Sequence, residues 1–244
     1  MRRSTSKDEK KQAQKDLARK MKCKEFLDHG MSLIAKVSQL VTYLNDNNIL
    51  GLYDNTEQIE SYIEYTRLFN DQVRRRVLNG EKIPSSEKVF SVFEPHTEWV
   101  VKGKAGVKQE LGLKVCVVTD QYGFTLTHKV MEKTSDAEVC IEMVKSAKEK
   151  FPLIYSCSFD KGFWSKENKT DLEQILDAVA IRKKGRPSVA EKEHYNSEEF
   201  QKADKGHSAV EAAISAYDNH GLDKCPDKTL PGFKVHSKLM LIRR

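Results

Sequence analysis

The sequence predicts an α/β protein, in which a mixed five-stranded sheet with flanking helices follows a helical N-terminal extension. Three observations predict it: apolar residues at helical spacing before residue 80, short β-prone runs after Pro84, and two helical segments between the later runs. A chain of 244 residues has room for one domain of about 150 residues and an extension. We therefore expect residues 1–84 to form the extension and residues 85–244 to form the core.

Composition argues against several classes of protein. The chain has 42 Lys and Arg residues against 36 Asp and Glu residues, a net charge of +6 that permits a polyanionic partner. No apolar run reaches the roughly 18–20 residues of a membrane span, and no apolar stretch of a secretory signal follows the first residues. The five cysteines are odd in number and contain no C-x-x-C pair, so we expect reduced thiols rather than disulfides or a zinc site.

The extension is basic and helical. Its first 25 residues carry ten Lys and Arg residues against four Asp and Glu residues. They are either a solvated helix or a basic arm that contacts phosphates. Apolar stripes over 33–44 and 59–77 predict two helices, with Arg74–Arg76 near the end of the second. That triplet either interacts with the helix C-terminus or contacts phosphates.

The core alternates strands and helices. Its β-prone runs are Lys88–Phe93, Leu111–Val118, Phe124–Val130, Leu153–Phe159 and Ala178–Arg182. Helices are predicted over Ser135–Ala147, Ser165–Leu176 and Ser208–His220, and the polar stretch Lys183–Lys205 is predicted to be a loop. Three strands thus form a meander and two more follow through helical crossovers, which is an RNase H-like order of elements.

Acidic residues at the first strand, the end of the fourth strand and the last helix of such a sheet can converge on two divalent metal ions. Carboxylates suit Mg²⁺ or Mn²⁺. Asp160 ends the fourth strand, where it is either a ligand or a helix cap. Glu211 stands one helical turn after His207 and is either a ligand or an exposed helix residue. The first ligand is Glu94, which ends the first strand, or Asp120, whose D-x-x-G hairpin turn offers a structural explanation, or a residue outside the chain.

Five cations lie in loops around this predicted site and either contact DNA phosphates or are simply solvated. They are Lys102, Lys104, Lys183, Lys184 and Arg186.

Ten segments, in order along the chain, also carry a resemblance to a known family. They are Gly80–Pro84, Glu87–Trp99, Lys102–Gly106, Glu110–Cys116, Asp120–Phe124, Val130–Lys133, Ser158–Phe163, Lys183–Arg186, His207–Glu211 and His220–Pro226. Through them, the stretch from Gly80 to about Lys238 resembles insertion-sequence transposases of the DDE superfamily, of the ISNCY type.

The resemblance implies an RNase H-like core that cuts and joins DNA with Mg²⁺ or Mn²⁺ in a two-metal site. It implies Asp160 and Glu211 as the second and third acidic residues, and it favours Glu94 over Asp120 as the first. The implied partners are the DNA of the element ends and of the target, with a homo-oligomer assembled on DNA and no membrane. The implied location is the cytoplasm of a prokaryotic cell.

Departures from the family pattern keep other functions open. His207 stands where many relatives have an Arg, which makes it the matching candidate for DNA contact, and the chain is short for such a transposase. The chain is therefore expected to be an N-terminally truncated transposase core. The alternatives are a DNA-binding or interaction remnant without catalysis, and an RNase H-like nuclease.

Overall fold

A computed structural model describes residues 3–47, 49, 53–101 and 109–242. The chain divides into two compact units, the first ending at Thr97 and the second beginning at Glu98. The sequence had suggested a boundary after residue 84. Mixed α/β structure is confirmed, with helices preceding the strands as expected.

The N-terminal unit consists mainly of two packed helices, α1 (Arg3–Asp46) and α2 (Tyr53–Val73). Leu27, Ile34 and Val41 are buried at a spacing of seven residues, so they form one apolar stripe along α1. Leu33 and Leu40, which the sequence also assigned to this stripe, are exposed. Within the described residues, α1 therefore buries a narrower face than its apolar pattern predicted.

The end of α2 is held by acidic side chains. A π-helical turn over Arg74–Leu78 continues the helix. Arg75 donates hydrogen bonds of 2.8 Å to both Glu81 and Glu87, and these bonds raise the pKa of its guanidinium. Arg75 thus pairs with carboxylates of its own unit. The segment 88–93, predicted as the first strand, contains no strand.

The C-terminal unit contains six strands and six helices within the described residues. The strands are β1 (Glu98–Val101), β2 (Gln109–Gly112), β3 (Lys114–Thr119), β4 (Thr125–Met131), β5 (Ser156–Phe159) and β6 (Ala178–Ile181). The helices are α3 (Asp136–Lys150), α4 (Lys166–Ile175), α5 (Val189–Tyr195), α6 (Glu198–Gly206), α7 (Ser208–Asn219) and α8 (Thr229–Ile242).

These strands form three two-stranded sheets, and a single five-stranded sheet is not observed in the described part of the chain. The pairs β1–β2 and β3–β4 are antiparallel, and β5–β6 is parallel. The predicted strand 111–118 is interrupted after Gly112, so its first residues pair with β1 while the rest pairs with β4. Leu153 and Tyr155 are exposed, and the predicted fourth strand begins only at Ser156.

Helix α3 forms the centre of the core. Ser135 begins it with the predicted capping box. Val139 and Met143 pack with Cys116 and Met131 of the β3–β4 hairpin. The adjacent positions Cys140 and Val144 pack with Leu172 of α4, Leu176 directly after it and Ile181 of β6. Helix α3 thus buries two neighbouring rows of side chains, one against the β3–β4 sheet and the other against the β5–β6 sheet.

The other face of β3 is covered by α7 and α8. Val115 and Val117 alternate with Cys116, so they point to the opposite side of the hairpin. There they pack on Ala213 and Tyr217 of α7 and Leu241 of α8. The hairpin therefore has helices on both faces, as in a three-layer α/β core.

Two helices occupy the stretch that was predicted to be a loop, and that prediction was wrong. Ser188 forms a capping box with Glu191 at the start of α5, and the Ser197 side chain caps α6. The rings of Tyr195 and Phe200 lie 4.9 Å apart and join the two helices. None of the helices in the described ranges combines the length and apolar character needed to cross a bilayer.

Candidate functional site

Asp160 lies at the carboxyl end of β5 and is exposed. Its Oδ1 accepts a hydrogen bond of 2.7 Å from the Lys161 backbone N–H, and it begins a short 3₁₀ turn over Lys161–Phe163. The structural alternative foreseen for this residue, a cap, is therefore present. A cap uses one carboxylate oxygen, so the carboxylate also keeps an oxygen that faces solvent at the strand end.

The turn after Asp160 is packed tightly. A Cβ at Gly162 would lie 2.7 Å from Oδ2 of Asp136, so the close approach to α3 favours glycine. Phe163 packs on both core clusters around α3. Lys184 Nζ donates a 2.8 Å hydrogen bond to the Gly162 carbonyl. These contacts fix the direction in which the Asp160 backbone leaves the strand.

A contact between β5 and the start of α7 brings two of the predicted motifs together. Ser158 Oγ lies 3.3 Å from Nδ1 of His207, the residue that joins α6 to α7. Ser158 precedes Asp160 by two residues on β5, and Glu211 follows His207 by one turn on α7. Glu211 is exposed. The contact therefore places the strand that precedes Asp160 next to the junction of α6 and α7, four residues before Glu211.

An ion pair missed in the sequence lies beside this contact. Arg182 donates from Nε to Oδ1 of Asp204 at 2.9 Å and from its Nη2 to Oδ2 at 2.7 Å. These hydrogen bonds hold the pKa of Asp204 below its ordinary value, and the charges of Arg182, His207 and Lys161 act in the same direction. The sequence did not predict this pair, because Asp204 lies in the stretch Lys183–Lys205 that was predicted to be a loop.

The guanidinium of Arg182 is also stacked on aromatic rings. It lies 5.2 Å from the ring centre of Tyr195 and 5.3 Å from that of Phe200. Cation–π contacts of this length are attractive. Arg182 therefore joins β6 to both α5 and α6, next to the strand that carries Asp160.

The predicted phosphate-binding lysines of this region are engaged within the protein. Lys183 Nζ lies 3.2 Å from Glu191 Oε1 and over the ring of Trp164. Lys184 is held by the Gly162 carbonyl, while Arg186 is exposed. Lys102 and Lys104 lie outside the described residues.

The two candidates for the first acidic ligand have different surroundings. Asp120 Oδ1 accepts backbone N–H bonds from Tyr122 at 2.9 Å and Phe124 at 2.8 Å, which is the turn-stabilising role foreseen for it. Glu94 belongs to the N-terminal unit, where its Oε2 lies 3.6 Å from His96 Nδ1. It does not end a strand, because no strand forms before it.

One cluster of possible metal ligands emerges elsewhere. In the described ranges, the only group of three or more His, Cys, Asp and Glu side chains with ligand atoms within 4.8 Å of one another is Cys225, Asp227 and His236. Asp160 and Glu211 belong to no such group. The search for C-x-x-C pairs missed this cluster, and its signal was the Cys-Pro-Asp turn followed by a histidine on the next helix.

Comparison with known proteins adds no family to this description. No family model, no curated protein and no solved structure matches the chain. Inference about function therefore rests on the residues, the motifs and their geometry.

Proposed function

We propose that the chain is a DDE-type transposase with an RNase H-like core, which cuts and joins DNA strands during transposition of an insertion sequence. Asp160 and Glu211 would hold Mg²⁺ or Mn²⁺, and the sequence leaves the first acidic residue open between Glu94 and Asp120. Asp120 accepts two backbone N–H groups, which is a turn-stabilising role. Two hard cations held by carboxylates would stabilise the attacking and leaving oxygens of the phosphodiester.

The contact between Ser158 and His207 carries the proposal. It joins the strand that presents Asp160 to the beginning of the helix that presents Glu211. Both carboxylates are exposed, as ligands that must meet a DNA strand need to be. The parallel pair β5–β6, connected through α4, and the helices on both faces of the hairpin are compatible with the proposed fold.

The chain's own residues would position the DNA strand rather than react with it. Arg186, which is exposed, and His207, whose Nδ1 lies 3.3 Å from Ser158 Oγ, would be the groups that meet phosphate oxygens. The carboxylates would bind the ions, and catalysis would depend on position and electrostatics.

A remnant that binds DNA without catalysis is the second candidate, and one observation favours it. Asp160 and Glu211 belong to no cluster of three metal-ligating side chains in the described ranges. Lys183 and Lys184 are bound to protein groups, so they would not be the DNA contacts of such a remnant. Such a remnant would keep the basic helix α1 as its DNA contact.

A cleavage assay separates the two candidates. The substrate is a duplex carrying the DNA that flanks the coding sequence, incubated with Mg²⁺. We expect strand cleavage that Asp160→Asn abolishes, because asparagine keeps the cap on the 3₁₀ turn and removes the charge. Asp171→Asn, which alters an exposed carboxylate on α4, is the matched control and should cleave normally.

Each outcome identifies a function. Undiminished cleavage by Asp160→Asn would refute the assignment of the metal site. An intact, folded chain that retards the duplex on a gel but never cuts it would identify the DNA-binding remnant. Cleavage without joining of the freed 3′ end to target DNA would identify a nuclease.

A further inference from the structure

The turn between α7 and α8 gathers three different metal-binding side chains. Cys225 and Asp227 lie in the turn, and His236 lies two turns into α8. Their ligand atoms lie within 4.8 Å of one another. Asp227 Oδ2 is 3.7 Å from His236 Nδ1, and the Cys225 thiol lies 3.6 Å from the Asp227 carbonyl.

The histidine is oriented as a metal ligand would be. His236 is only 8% exposed, and its Nε2 lies 3.0 Å from the Gly221 carbonyl oxygen. A carbonyl only accepts, so Nε2 carries the hydrogen, and Nδ1 of the neutral ring presents its lone pair. That lone pair faces Asp227. Histidines bound to metals usually donate their other N–H to a carbonyl or carboxylate in this way.

The turn is also held firmly against α8. A Cβ at Gly232 would come within 3.2 Å of the Asp227 Cβ, so the glycine permits a close approach of the turn to the helix. The Gly232 N–H lies 3.4 Å from Thr229 Oγ1. The backbone at Thr229 has a φ of 67°, a left-handed conformation that β-branched residues rarely adopt. The approach of Asp227 to His236 thus follows from the backbone and not from a mobile side chain alone.

A simple ion pair between Asp227 and His236 would explain only part of this arrangement. It does not involve the thiol of Cys225, whose sulfur lies within 4.8 Å of the ligand atoms of both groups. A cation explains all three groups. It would bind the thiolate, the neutral imidazole and the carboxylate together.

We propose that Cys225, Asp227 and His236 bind a zinc ion. Sulfur and imidazole ligands select zinc over Mg²⁺, and three protein ligands leave the fourth tetrahedral position to water. With bonds of about 2.0–2.3 Å, neighbouring ligand atoms would lie on the order of 3.5 Å apart, close to the observed 3.7 Å between Asp227 and His236. The Cys225 thiol loses its proton to solvent when the ion binds. This site is independent of the proposed DNA chemistry and would tie the α7–α8 turn to α8.

Metal binding by the untagged full chain tests the proposal. The protein is stripped with a chelator and titrated with Zn²⁺ and Co²⁺. We expect one tightly bound equivalent, a sulfur-to-cobalt charge-transfer band in the near ultraviolet, and a higher melting temperature with Zn²⁺. Cys225→Ser should remove the band and weaken Zn²⁺ binding at least tenfold, and Asp227→Asn should also weaken it.

Matched controls keep the result interpretable. Cys23→Ser removes a thiol from α1, and Asp223→Asn removes an exposed carboxylate from the same turn. Both should bind zinc like the wild type, and circular dichroism checks that every variant is folded. His236→Gln is avoided as the main test because the ring is buried. Zinc binding by Cys225→Ser equal to that of the wild type would overturn the proposal, as would a wild-type chain that takes up less than one equivalent.

Discussion

The ion pair between Arg182 and Asp204 offers a sharp test of the structure, because no sequence pattern pointed to it. The perturbation is a double-mutant cycle: Arg182→Gln, Asp204→Asn and the two together. The cycle isolates the coupling between the two side chains from the other effects of each substitution. If the structure is right, the coupling should exceed that of an ordinary surface pair.

The expected coupling is about 1.5 kcal/mol. Exposed ion pairs give about 0.2–1 kcal/mol, whereas charge-assisted bonds in a two-pronged geometry are roughly twice as strong. Two unit charges about 4 Å apart attract by about 4 kcal/mol at an effective dielectric of about 20 and by about 1 kcal/mol in bulk water. The side chains are 34% and 33% exposed, so solvent screening keeps the coupling toward the lower of these values.

Urea denaturation followed by tryptophan fluorescence measures the coupling. Both tryptophans of the chain, Trp99 and Trp164, lie in the C-terminal unit, so the signal reports the unit that contains the pair. Lys169 and Glu173 form a control pair on α4, four residues apart and 41% and 54% exposed. Their cycle should give about 0.3–0.5 kcal/mol.

The pH dependence follows from the lowered pKa of Asp204. A carboxylate whose folded-state pKa is depressed adds stability that is present above its unfolded pKa, about 4, and is lost as the pH falls through the folded value. The stability difference between wild type and Asp204→Asn should therefore be constant near neutrality and shrink below about pH 4. A coupling indistinguishable from that of Lys169 and Glu173, or a difference that persists in acid, would refute the geometry.

Two further substitutions test the packing of the C-terminal unit. Leu172→Ala, at a fully buried position of α4, should lower the free energy of unfolding by about 2–5 kcal/mol in the same urea assay, and a loss below 1 kcal/mol would contradict its burial. Tyr217→Phe should cost about 1–2 kcal/mol, because the hydroxyl donates to the Gly123 carbonyl at 3.2 Å and lies 2.7 Å from Thr125 Oγ1. Tyr155→Phe, on an exposed ring, is the control and should leave stability unchanged.

Sequence reasoning found the elements whose signals are local. The capping box at Ser135, the D-x-x-G turn at Asp120 and the strand β4 each depend on a few neighbouring residues, and all three are observed. Pairing between strands depends on residues far apart in the chain. The sequence therefore could not reveal that the strand is interrupted after Gly112, so that β2 pairs with β1 whereas β3 pairs with β4.

The loop predicted over Lys183–Lys205 failed for a related reason. Its helices are polar, and little of their surface is buried, so apolar periodicity was a poor guide. The signals at Ser188 and Glu191 were nevertheless present as a capping box. The aromatic contacts that hold these helices involve Arg182, a charged residue that a search for core positions passes over.

The candidate site was predictable only in part, because its residues come from elements whose contacts are not encoded locally. Asp160 could be assigned to a strand end from the apolar run before it. Predicting the ion pair of Asp204 would have required knowing that α6 forms. Predicting the cluster at Cys225 would have required knowing that the α7–α8 turn places this cysteine next to a histidine eleven positions later. The cluster has the pattern Cys-x-Asp with a histidine nine positions later, and it lacks the C-x-x-C pair of common zinc motifs.

Helix α7 shows why stability and function can be separated in this chain. Ala213 and Tyr217 are buried against the β3–β4 hairpin, while Glu211 lies about 200° around the helix from Ala213 and is exposed. The core contacts therefore hold the helix in place without using the carboxylate. Loss of the Tyr217 hydroxyl should lower the stability of the fold before it alters any chemistry at Glu211. Loss of the Glu211 charge should alter any such chemistry before it lowers the stability of the fold. A helix with this division can keep its position after its exposed residues have changed, so the stability of the fold does not report on Glu211, and the cleavage assay is needed to test its proposed role.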